Sequence, residues 1–387
     1  MYNILTLNKI SKIGLDQLDS NYKYGEDIQN PDAVLVRSAS MHEAPLPESL
    51  LAIARAGAGV NNIPVDACSE AGIVVFNTPG ANANAVKELV LAGLLLSSRK
   101  IAPAIEWAKG LKGEGDAVGK LVEKGKGQFG GPELLGKKLG VIGLGAIGVL
   151  VANAAEALGM TVYGFDPYLS IDAAWGLSKD IVHAKSTKEI FESCDYITIH
   201  VPLTPDTKGM INAESLATAK DGVRILNFSR ADLVNSADIV AAIGTGKVAS
   251  YVVDFPTDEV LGVDGIIAIP HLGASTPESE DNCAKMAAAE VRDFLENGNI
   301  LNSVNFPNVN GGKVSGERVC VIHKNMPNML TKFTGAISET GINIENMQSK
   351  SKKDYAYTQL DAAGTVTDEV VNTIKAVEGV IRVRVIK

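Results

Sequence analysis

The residues with the clearest chemistry fall in one ordered series in the middle of the chain. A glycine-rich turn, Gly143-Leu144-Gly145-Ala146-Ile147-Gly148, is followed by Asp166, Arg230, the acidic pair Asp258-Glu259 and His271. The turn suits a dinucleotide, the arginine suits a carboxylate, and an imidazole can accept a proton from an alcohol. Together these groups would allow hydride transfer to or from a hydroxy acid.

The glycine turn follows a predicted strand, Lys138 to Ile142, and opens a predicted helix, Ile147 to Leu158. In this setting Gly143 permits a tight turn, Gly145 lets a pyrophosphate approach the backbone, and Gly148 lets the helix pack closely on the strand. The phosphates would lie at the helix N-terminus, where free N–H groups and the positive end of the dipole favour anions.

Asp166 ends the next predicted strand, where its carboxylate could accept hydrogen bonds from both adenosine ribose hydroxyls. The alternative is a simple turn at Asp166-Pro167. Residues 167 to 169 carry no cation that would neutralise a 2′-phosphate, so the sequence favours NAD over NADP.

His271 is the best candidate for the proton acceptor among five histidines. It follows the apolar strand Ile266 to Ile269 at its carboxyl end, where open α/β sheets place their sites, and a free imidazole has a pKa of about 6.5. A carboxylate on the far ring nitrogen would fix the tautomer. Glu259 and Asp258 are both candidates for that carboxylate, although an acidic pair in a loop is often only solvated.

Arg230 also lies at the carboxyl end of a predicted strand, Arg224 to Phe228. Its planar fork could hold a substrate carboxylate in a bidentate way and keep the reacting oxygen near His271. A surface arginine without function is the alternative that spacing alone leaves open.

Composition limits the class of protein. A chain of 387 residues suggests two or three domains, and a net charge of -9 with a pI near 5.2 argues against nucleic-acid or anionic-membrane partners. Four cysteines, Cys68, Cys194, Cys283 and Cys320, occur singly, which predicts free thiols and no metal site. No signal peptide or membrane span is recognisable, so a cytoplasmic protein is expected.

Short apolar runs alternate with alanine-rich helical runs, which predicts α/β architecture with two doubly wound parallel-sheet domains, Rossmann-like and flavodoxin-like. Residues 111 to 131 are rich in glycine and lysine and predict an exposed connection. The last 71 residues or so, 317 to 387, follow a βαββαβ order, which predicts a small separate ferredoxin-like domain.

At these motifs the chain resembles the D-isomer-specific 2-hydroxyacid dehydrogenases. The similarity extends through Arg55 to Asn62, Phe76 to Gly80, His200 to Thr204 and Pro270 to Thr276. It implies a substrate-binding domain at 1–92 and 277–306 and an NAD-binding domain at 93–276. The Asn, Gly and Pro residues from 305 to 312 predict a linker, placed at 307–316. The catalytic residues implied are Arg230, Glu259 and His271, although an alignment shifted by one would make Asp258 the partner of the histidine.

The resemblance also implies which residues contact NAD. They comprise the turn, the acid after the second strand, and loops at the ends of the later strands: Gly143, Gly145, Ala146, Ile147, Gly148, Asp166, Val201, Pro202, Thr204, Phe228, Ser229, Arg230, Asp254, His271, Gly273 and Ala274.

Three features favour the family members that oxidise 3-phospho-D-glycerate to 3-phosphooxypyruvate, the first step of phosphorylated serine biosynthesis. Arg37 and Ser38 match the position that binds the substrate phosphate. Ala58 and Gly59 match the backbone that holds its carboxylate, with Asn77, Asn82 and Arg230 in the same set. Residues 317–387 resemble an ACT domain, the amino-acid sensor of many such enzymes.

In serine-regulated members an L-serine effector is held between two ACT domains, at positions that match His323, Asn325 and Asn343. Here Pro327-Asn328 replaces the usual Pro-Gly of that motif, but asparagine tolerates a positive φ. The family also implies a homodimer or homotetramer. Two other interpretations stay open: a D-2-hydroxyacid dehydrogenase of other specificity, or a non-catalytic sensor of NAD or amino acids.

Overall fold

Two parallel sheets and one antiparallel sheet form the framework of the protein, which this computed structural model describes over all residues from 1 to 387. The strands are β1 (Tyr2–Leu7), β2 (Tyr22–Gly25), β3 (Ala33–Val36), β4 (Ala52–Arg55), β5 (Val74–Asn77), β6 (Lys138–Ile142), β7 (Thr161–Phe165), β8 (Val182–His183), β9 (Tyr196–Ile199), β10 (Val223–Asn227), β11 (Val248–Val253), β12 (Ile266–Ala268), β13 (Glu317–Lys324), β14 (Ile344–Lys352), β15 (Tyr355–Ala362) and β16 (Val380–Ile386).

The helices are α1 (Lys12–Leu15), α2 (Val65–Glu70), α3 (Ala83–Ser98), α4 (Ile101–Lys109), α5 (Val118–Gly125), α6 (Ala146–Ala157), α7 (Ile171–Gly176), α8 (Thr187–Ser193), α9 (Ala213–Thr218), α10 (Ser236–Gly244), α11 (Pro277–Asn297), α12 (Met329–Ser338) and α13 (Asp368–Lys375). None of them combines the length and apolar character that a membrane crossing requires. Residues 111–131, predicted as an exposed connection, are indeed mostly exposed but include α5 and two short 3-10 turns.

The chain divides into two units, one of residues 1–82 with 277–387 and one of residues 83–276. The first sheet, in the first unit, has the order β2-β1-β3-β4-β5 with parallel neighbours. Its strand β3 is buried along its whole length, as expected for a parallel strand covered on both faces. The edge strand β2, with the sequence Tyr-Lys-Tyr-Gly, has too little apolar pattern to be recognised from sequence.

The second sheet, in the second unit, has seven parallel strands in the order β8-β7-β6-β9-β10-β11-β12. The strand order reverses between β6 and β9, so loops at their carboxyl ends diverge and leave a crevice there. This confirms the predicted doubly wound arrangement. The unit includes α3, whose Val86, Val90 and Leu94 pack into its core.

The third sheet is antiparallel, with the order β14-β15-β13-β16, and α12 and α13 pack against it in the predicted βαββαβ order. Its residues Cys320, Ile322, Tyr357 and Ile386 belong to the same buried core as the first sheet and α11. The C-terminal sheet therefore has the predicted order of elements, and its apolar side chains are buried in a core that it shares with the first sheet.

Residues 307–316, predicted as a linker, are also part of this packing. Val309 is fully buried and exchanges two backbone hydrogen bonds with Ile300. The buried guanidinium of Arg318 pairs with Asp361 and donates to the carbonyl oxygens of Asn297, Gly311 and Gly312. The segment thus anchors buried side chains, although several of its Asn and Gly residues, such as Asn308 and Asn310, remain exposed.

Glu290 of α11 is a buried carboxyl group in the first unit. It is 9% exposed; its Oε1 accepts a hydrogen bond from Asn302 Nδ2 at 2.8 Å, whereas Oε2 has no partner. Burial raises the pKa of Glu290 to about 8, and the bond from Asn302 offsets this only in part. The folded chain therefore holds a proton here over a pH range in which the unfolded chain releases it.

We expect this proton to make stability depend on pH. From the ordinary glutamate value to about pH 8 only the folded state is protonated, so the free energy of unfolding falls as pH rises and levels off above pH 8. Relative to Glu290→Gln, which stays neutral, the wild type should lose about 2 to 4 kcal/mol over that range. Urea unfolding of the full chain at several pH values measures this.

Glu278→Gln, an exposed change on the same helix, serves as the control and should run parallel to the wild type at every pH. A Glu290→Gln curve that also runs parallel to the wild type would show that the buried carboxyl does not hold a proton.

Candidate active site

The glycine turn between β6 and α6 has the geometry that its spacing predicts. Gly143 has a φ of +93°, and a Cβ there would lie 2.6 Å from the carbonyl oxygen of His200. A Cβ on Gly148 would lie 1.9 Å from the carbonyl oxygen of Gly143, so only glycine lets α6 pack this closely on β6. A Cβ on Gly145 would meet nothing within 4 Å, which leaves its outer side open to a bound group.

Asp166, just after β7, is tied to this turn. Its Oδ2 accepts a hydrogen bond from Leu144 N and its Oδ1 from Tyr168 N, both at 2.8 Å. Each carboxylate oxygen has two lone pairs, so acceptor capacity remains for ribose hydroxyls. The turn, the free N-terminus of α6 and Asp166 thus fit a dinucleotide with its pyrophosphate at the helix end.

Arg230 is positioned by a buried amide at the end of β10. Asn227 is fully buried; its Nδ2 donates to the carbonyl oxygen of Arg230 at 2.8 Å, and its Oδ1 accepts from Ser229 N at 3.1 Å. Ser229 Oγ in turn donates to the carbonyl oxygen of Ile199 on β9 at 2.8 Å. These bonds fix the backbone from which the exposed guanidinium of Arg230 projects.

The ring of Phe255 contacts both of the predicted catalytic side chains. The imidazole of His271 lies with its centroid 4.2 Å from that of Phe255, and the guanidinium carbon of Arg230 lies 5.4 Å from the same ring. The three residues follow the adjacent strands β10, β11 and β12. The structure therefore brings Arg230 and His271 to one place, and Phe255, which sequence reasoning missed, lies between them.

Asp254, at the end of β11, is a buried carboxyl group beside these residues. It is 1% exposed, and neither oxygen accepts a hydrogen bond of normal geometry. Burial raises the pKa of Asp254 to about 6, partly offset by the backbone N–H of Gly273 and the charge of Arg230. A buried carboxyl group whose oxygens accept no hydrogen bond of normal geometry suits a site in which a bound molecule supplies a donor.

The acidic pair lies on a 3-10 turn, Asp258–Val260, with both side chains exposed. A hydrogen bond from the Thr257 side chain lowers the pKa of Glu259, so this carboxylate is charged at neutral pH. The remaining residues predicted to contact NAD occupy the strand-end loops of the same unit. Val201, Pro202 and Thr204 follow β9, Phe228 is buried after β10, and Gly273 and Ala274 follow His271.

His200 illustrates why a histidine near the site need not be catalytic. Burial lowers the pKa of His200 to about 4, its Nε2 bonds Thr198 Oγ1 at 3.0 Å, and its Nδ1 has no partner. It stays neutral at physiological pH and is held within the strand end.

The predicted substrate residues of the first unit lie at the carboxyl ends of β3, β4 and β5. Val36 is the register partner of Arg55, and Arg55 of Asn77, so Arg37, Arg55 and Asn77 come from neighbouring strand ends. Arg37 forms an ion pair with Glu280 at 2.7 Å, and Arg55 Nε donates to the carbonyl oxygen of Arg37 at 3.1 Å. Arg55 was not singled out from sequence, but the sheet register places it beside Arg37.

The backbone at Ala58 and Gly59 has the property expected of an anion-binding loop, because neither N–H donates a hydrogen bond within the protein. Asn77 Nδ2 donates to the carbonyl oxygen of Ala58 at 2.5 Å, which ties this loop to the end of β5. Ser38 is exposed next to Arg37. Asn82 is half-buried and is the last residue of the segment 1–82 of the first unit.

The predicted effector residues are not all together. His323 and Asn325 line a cavity of about 420 Å³, but Asn343 does not, because it precedes β14 at the opposite end of the β14–β15 pair. His323 is buried, with Nε2 bonded to Thr358 Oγ1 at 2.9 Å and Nδ1 to the carbonyl oxygen of Lys324 at 2.7 Å. Asn328 adopts a φ of +66°, so the turn without glycine forms as expected.

Comparison with known proteins agrees with this geometry. Residues 91–273 match the family model for the NAD-binding domain of D-isomer-specific 2-hydroxyacid dehydrogenases. A D-3-phosphoglycerate dehydrogenase from Escherichia coli K12 is 32% identical over 352 residues, which cover 88% of this chain and 82% of that protein.

The protein of the same name from Bacillus subtilis is 36% identical over 327 residues, or 79% of this chain. The match spans 59% of the length of the Bacillus protein, which is under two thirds. Among solved structures, NAD⁺-bound 3-phosphoglycerate dehydrogenase of Entamoeba histolytica aligns with a TM-score of 0.59 at 25% identity, covering 79% of this chain and 98% of that one.

The open side of Gly145 gives a specific test of nucleotide binding. We expect Gly145→Val to change the free energy of unfolding by less than about 1 kcal/mol, because its φ of -77° is ordinary and the space is empty. The same change should weaken NAD binding at least tenfold, because the side chain would occupy the position of the pyrophosphate. Calorimetric titration with NAD and urea unfolding measure the two effects.

Gly148→Val is the matched comparison in the same turn and should destabilise the fold by about 1 to 3 kcal/mol or more, because its Cβ meets backbone. Unchanged NAD affinity in Gly145→Val would contradict the assignment of this turn.

Proposed function

Since the chain belongs to the D-isomer-specific 2-hydroxyacid dehydrogenase family, we propose that it oxidises the C2 hydroxyl of 3-phospho-D-glycerate to 3-phosphooxypyruvate, with NAD as acceptor. The observation that carries the proposal is the contact of Arg230 and His271 with one ring, that of Phe255, in the unit that holds the glycine turn. The names of the relatives from Bacillus subtilis and Escherichia coli support the choice of substrate.

Each side chain has a defined part in this reaction. NAD, when bound, would accept the hydride from C2. His271 takes the hydroxyl proton as the C2–H bond breaks, and Arg230 binds the C1 carboxylate with its planar fork while keeping the C2 oxygen near the imidazole. Glu259, a charged residue on the loop that follows Phe255, orients and stabilises the imidazolium, with Asp258 as the alternative.

The phosphate of the substrate is bound by Arg37, with Ser38 beside it and Arg55 adding a second positive charge at the same strand ends. Because Glu280 pairs with Arg37, the phosphate must displace or share this partner. The free N–H groups of Ala58 and Gly59 and the side chains of Asn77 and Asn82 complete the set that contacts the substrate.

Regulation and assembly belong to the same proposal. We expect a homodimer or homotetramer in which two C-terminal sheets pair, since a single chain separates Asn343 from His323 and Asn325. L-serine would bind at the interface between the two paired C-terminal sheets. The protein would act in the cytoplasm, in the first step of phosphorylated serine biosynthesis.

Steady-state turnover with a panel of hydroxy acids tests the activity. The proposal predicts that the full chain uses 3-phospho-D-glycerate with NAD far better than D-lactate, D-glycerate or D-2-hydroxyglutarate. Better turnover of an unphosphorylated acid would indicate another specificity within the family, whereas no hydride transfer to NAD from any of them would favour a non-catalytic sensor.

Arg37→Met should raise KM for 3-phospho-D-glycerate about 10- to 100-fold with little change in kcat, because a charge-assisted hydrogen bond to phosphate contributes about 1.5 to 3 kcal/mol. The matched control is the same variant with D-glycerate, which lacks the phosphate and should show an unchanged KM. Equal losses with the two substrates would contradict phosphate binding by Arg37.

Glu259→Gln and Asp258→Asn, made separately, should identify the partner of His271. A carboxylate beside an imidazole favours its charged form, so loss of the true partner should move the acid limb of the kcat/KM profile to lower pH by about 1 unit. The plateau should fall about 100-fold or more through lost orientation. Small and equal effects of both changes would remove this pair from the mechanism.

A further inference from the structure

An open cavity of about 610 Å³ in the first unit lies outside the residues assigned above to substrate, NAD or serine, except for Asn77. One wall is the junction segment 302–308, which follows α11, and the other is the end of the edge strand β14, Lys350 to Lys352. Its polar lining includes Asn77, Asn302, Ser303 and Asn308.

The lining carries two positive charges and no negative one. Lys350 and Lys352 are its only ionisable side chains, and neither forms an ion pair in the structure. This contrasts with a chain whose net charge is -9. Two unpaired cations on one wall of a cavity attract an anion, because charges of the same sign raise each other's energy until a counter-charge is bound.

Lys352 shows this lack of an anionic partner most clearly. Its ammonium donates to the carbonyl oxygen of Ser303 at 3.0 Å, a neutral acceptor that leaves two of its three donors for a ligand. Burial, and then the charge of Lys353, lower the pKa of Lys352. The attraction of a bound anion would compensate for both the partial desolvation and the repulsion.

The lining also includes an aromatic residue, Phe306, that packs against Tyr355. Phe306 is fully buried and meets the ring of Tyr355 edge to face, with centroids 5.6 Å apart. Lys324 lies over the ring of Tyr355, with its Nζ 4.1 Å from the ring centroid.

The cavity is connected to the predicted substrate loop through Asn77. The backbone N of Asn77 donates to the carbonyl oxygen of Asn302 at 3.4 Å, and its side chain donates to the carbonyl oxygen of Ala58 at 2.5 Å. Asn302 is itself fixed by the buried carboxyl of Glu290. A ligand that contacts the junction segment would therefore act on the residue that holds the Ala58 loop.

We propose that this cavity binds a small organic anion through Lys350 and Lys352, at a second site distinct from Arg37. The ligand class is a compact molecule ending in a phosphate or carboxylate, since a lysine ammonium binds either as a point charge. Phosphate esters and dicarboxylic acids share this chemistry, and the experiment separates them. Occupation of the site changes the affinity of the substrate loop through Asn77.

The test uses the full chain carrying Arg37→Met, so that anion binding at the proposed substrate site is weakened. Calorimetric titration with inorganic phosphate and, separately, with succinate should detect binding of at least one, with a dissociation constant on the order of 1 mM. Adding Lys352→Met to this background should weaken that binding at least tenfold. The measurement involves no turnover, so its outcome is independent of the proposed activity.

Lys353→Asn is the matched control, because it removes one neighbouring positive charge outside the cavity lining and asparagine tolerates the positive φ of this position. It should leave the dissociation constant within about twofold. Lys352→Gln, with thermal unfolding compared with the background, separates lost binding from lost folding. Absence of binding of either anion to the background, or equal weakening by the control, would overturn the proposal.

Discussion

The contact of Arg230 and His271 with the ring of Phe255 is the interaction on which the proposed chemistry depends. The three residues follow β10, β11 and β12, which are neighbours in a parallel sheet. Parallel strands bring their carboxyl ends to one edge, so residues far apart in sequence meet there without any long connection. An aromatic face attracts a guanidinium and stacks with an imidazole, so one ring can restrain both side chains.

Burial around this contact gives it a fixed geometry. The amide of Asn227 bonds the backbone of both Ser229 and Arg230, and the enclosed carboxyl group of Asp254 accepts no hydrogen bond of normal geometry. Burying a polar group costs free energy unless it is hydrogen-bonded. The burial of the Asp254 carboxyl is best explained if a bound molecule supplies the missing partner. The same logic applies at Gly145, where open space is kept beside a turn that is tightly packed at Gly143 and Gly148.

Much of this arrangement could be predicted from sequence, because apolar runs mark parallel strands and glycines mark the turn. Phe255 and Arg55 could not be identified as partners of the site, since their roles depend on which strands are neighbours. The packing around residues 307–316, predicted as a linker, depends in the same way on which elements are neighbours. Turn-forming residues indicate a change of chain direction, but burial of Phe306 and Val309 follows from the packing of the third sheet. His323, predicted to bind an effector, has both ring nitrogens bonded within the protein, which spacing does not reveal.

The most direct test of the proposed reaction follows the hydrogen on C2. Purified full chain would be given NAD and 3-phospho-D-glycerate carrying deuterium at C2, and the reduced cofactor and the water would be analysed by mass spectrometry and NMR. The account predicts that the deuterium appears on the nicotinamide ring, because the C2 hydrogen leaves as hydride while His271 takes only the hydroxyl proton. Deuterium recovered in water, or no reduced cofactor at all, would contradict it.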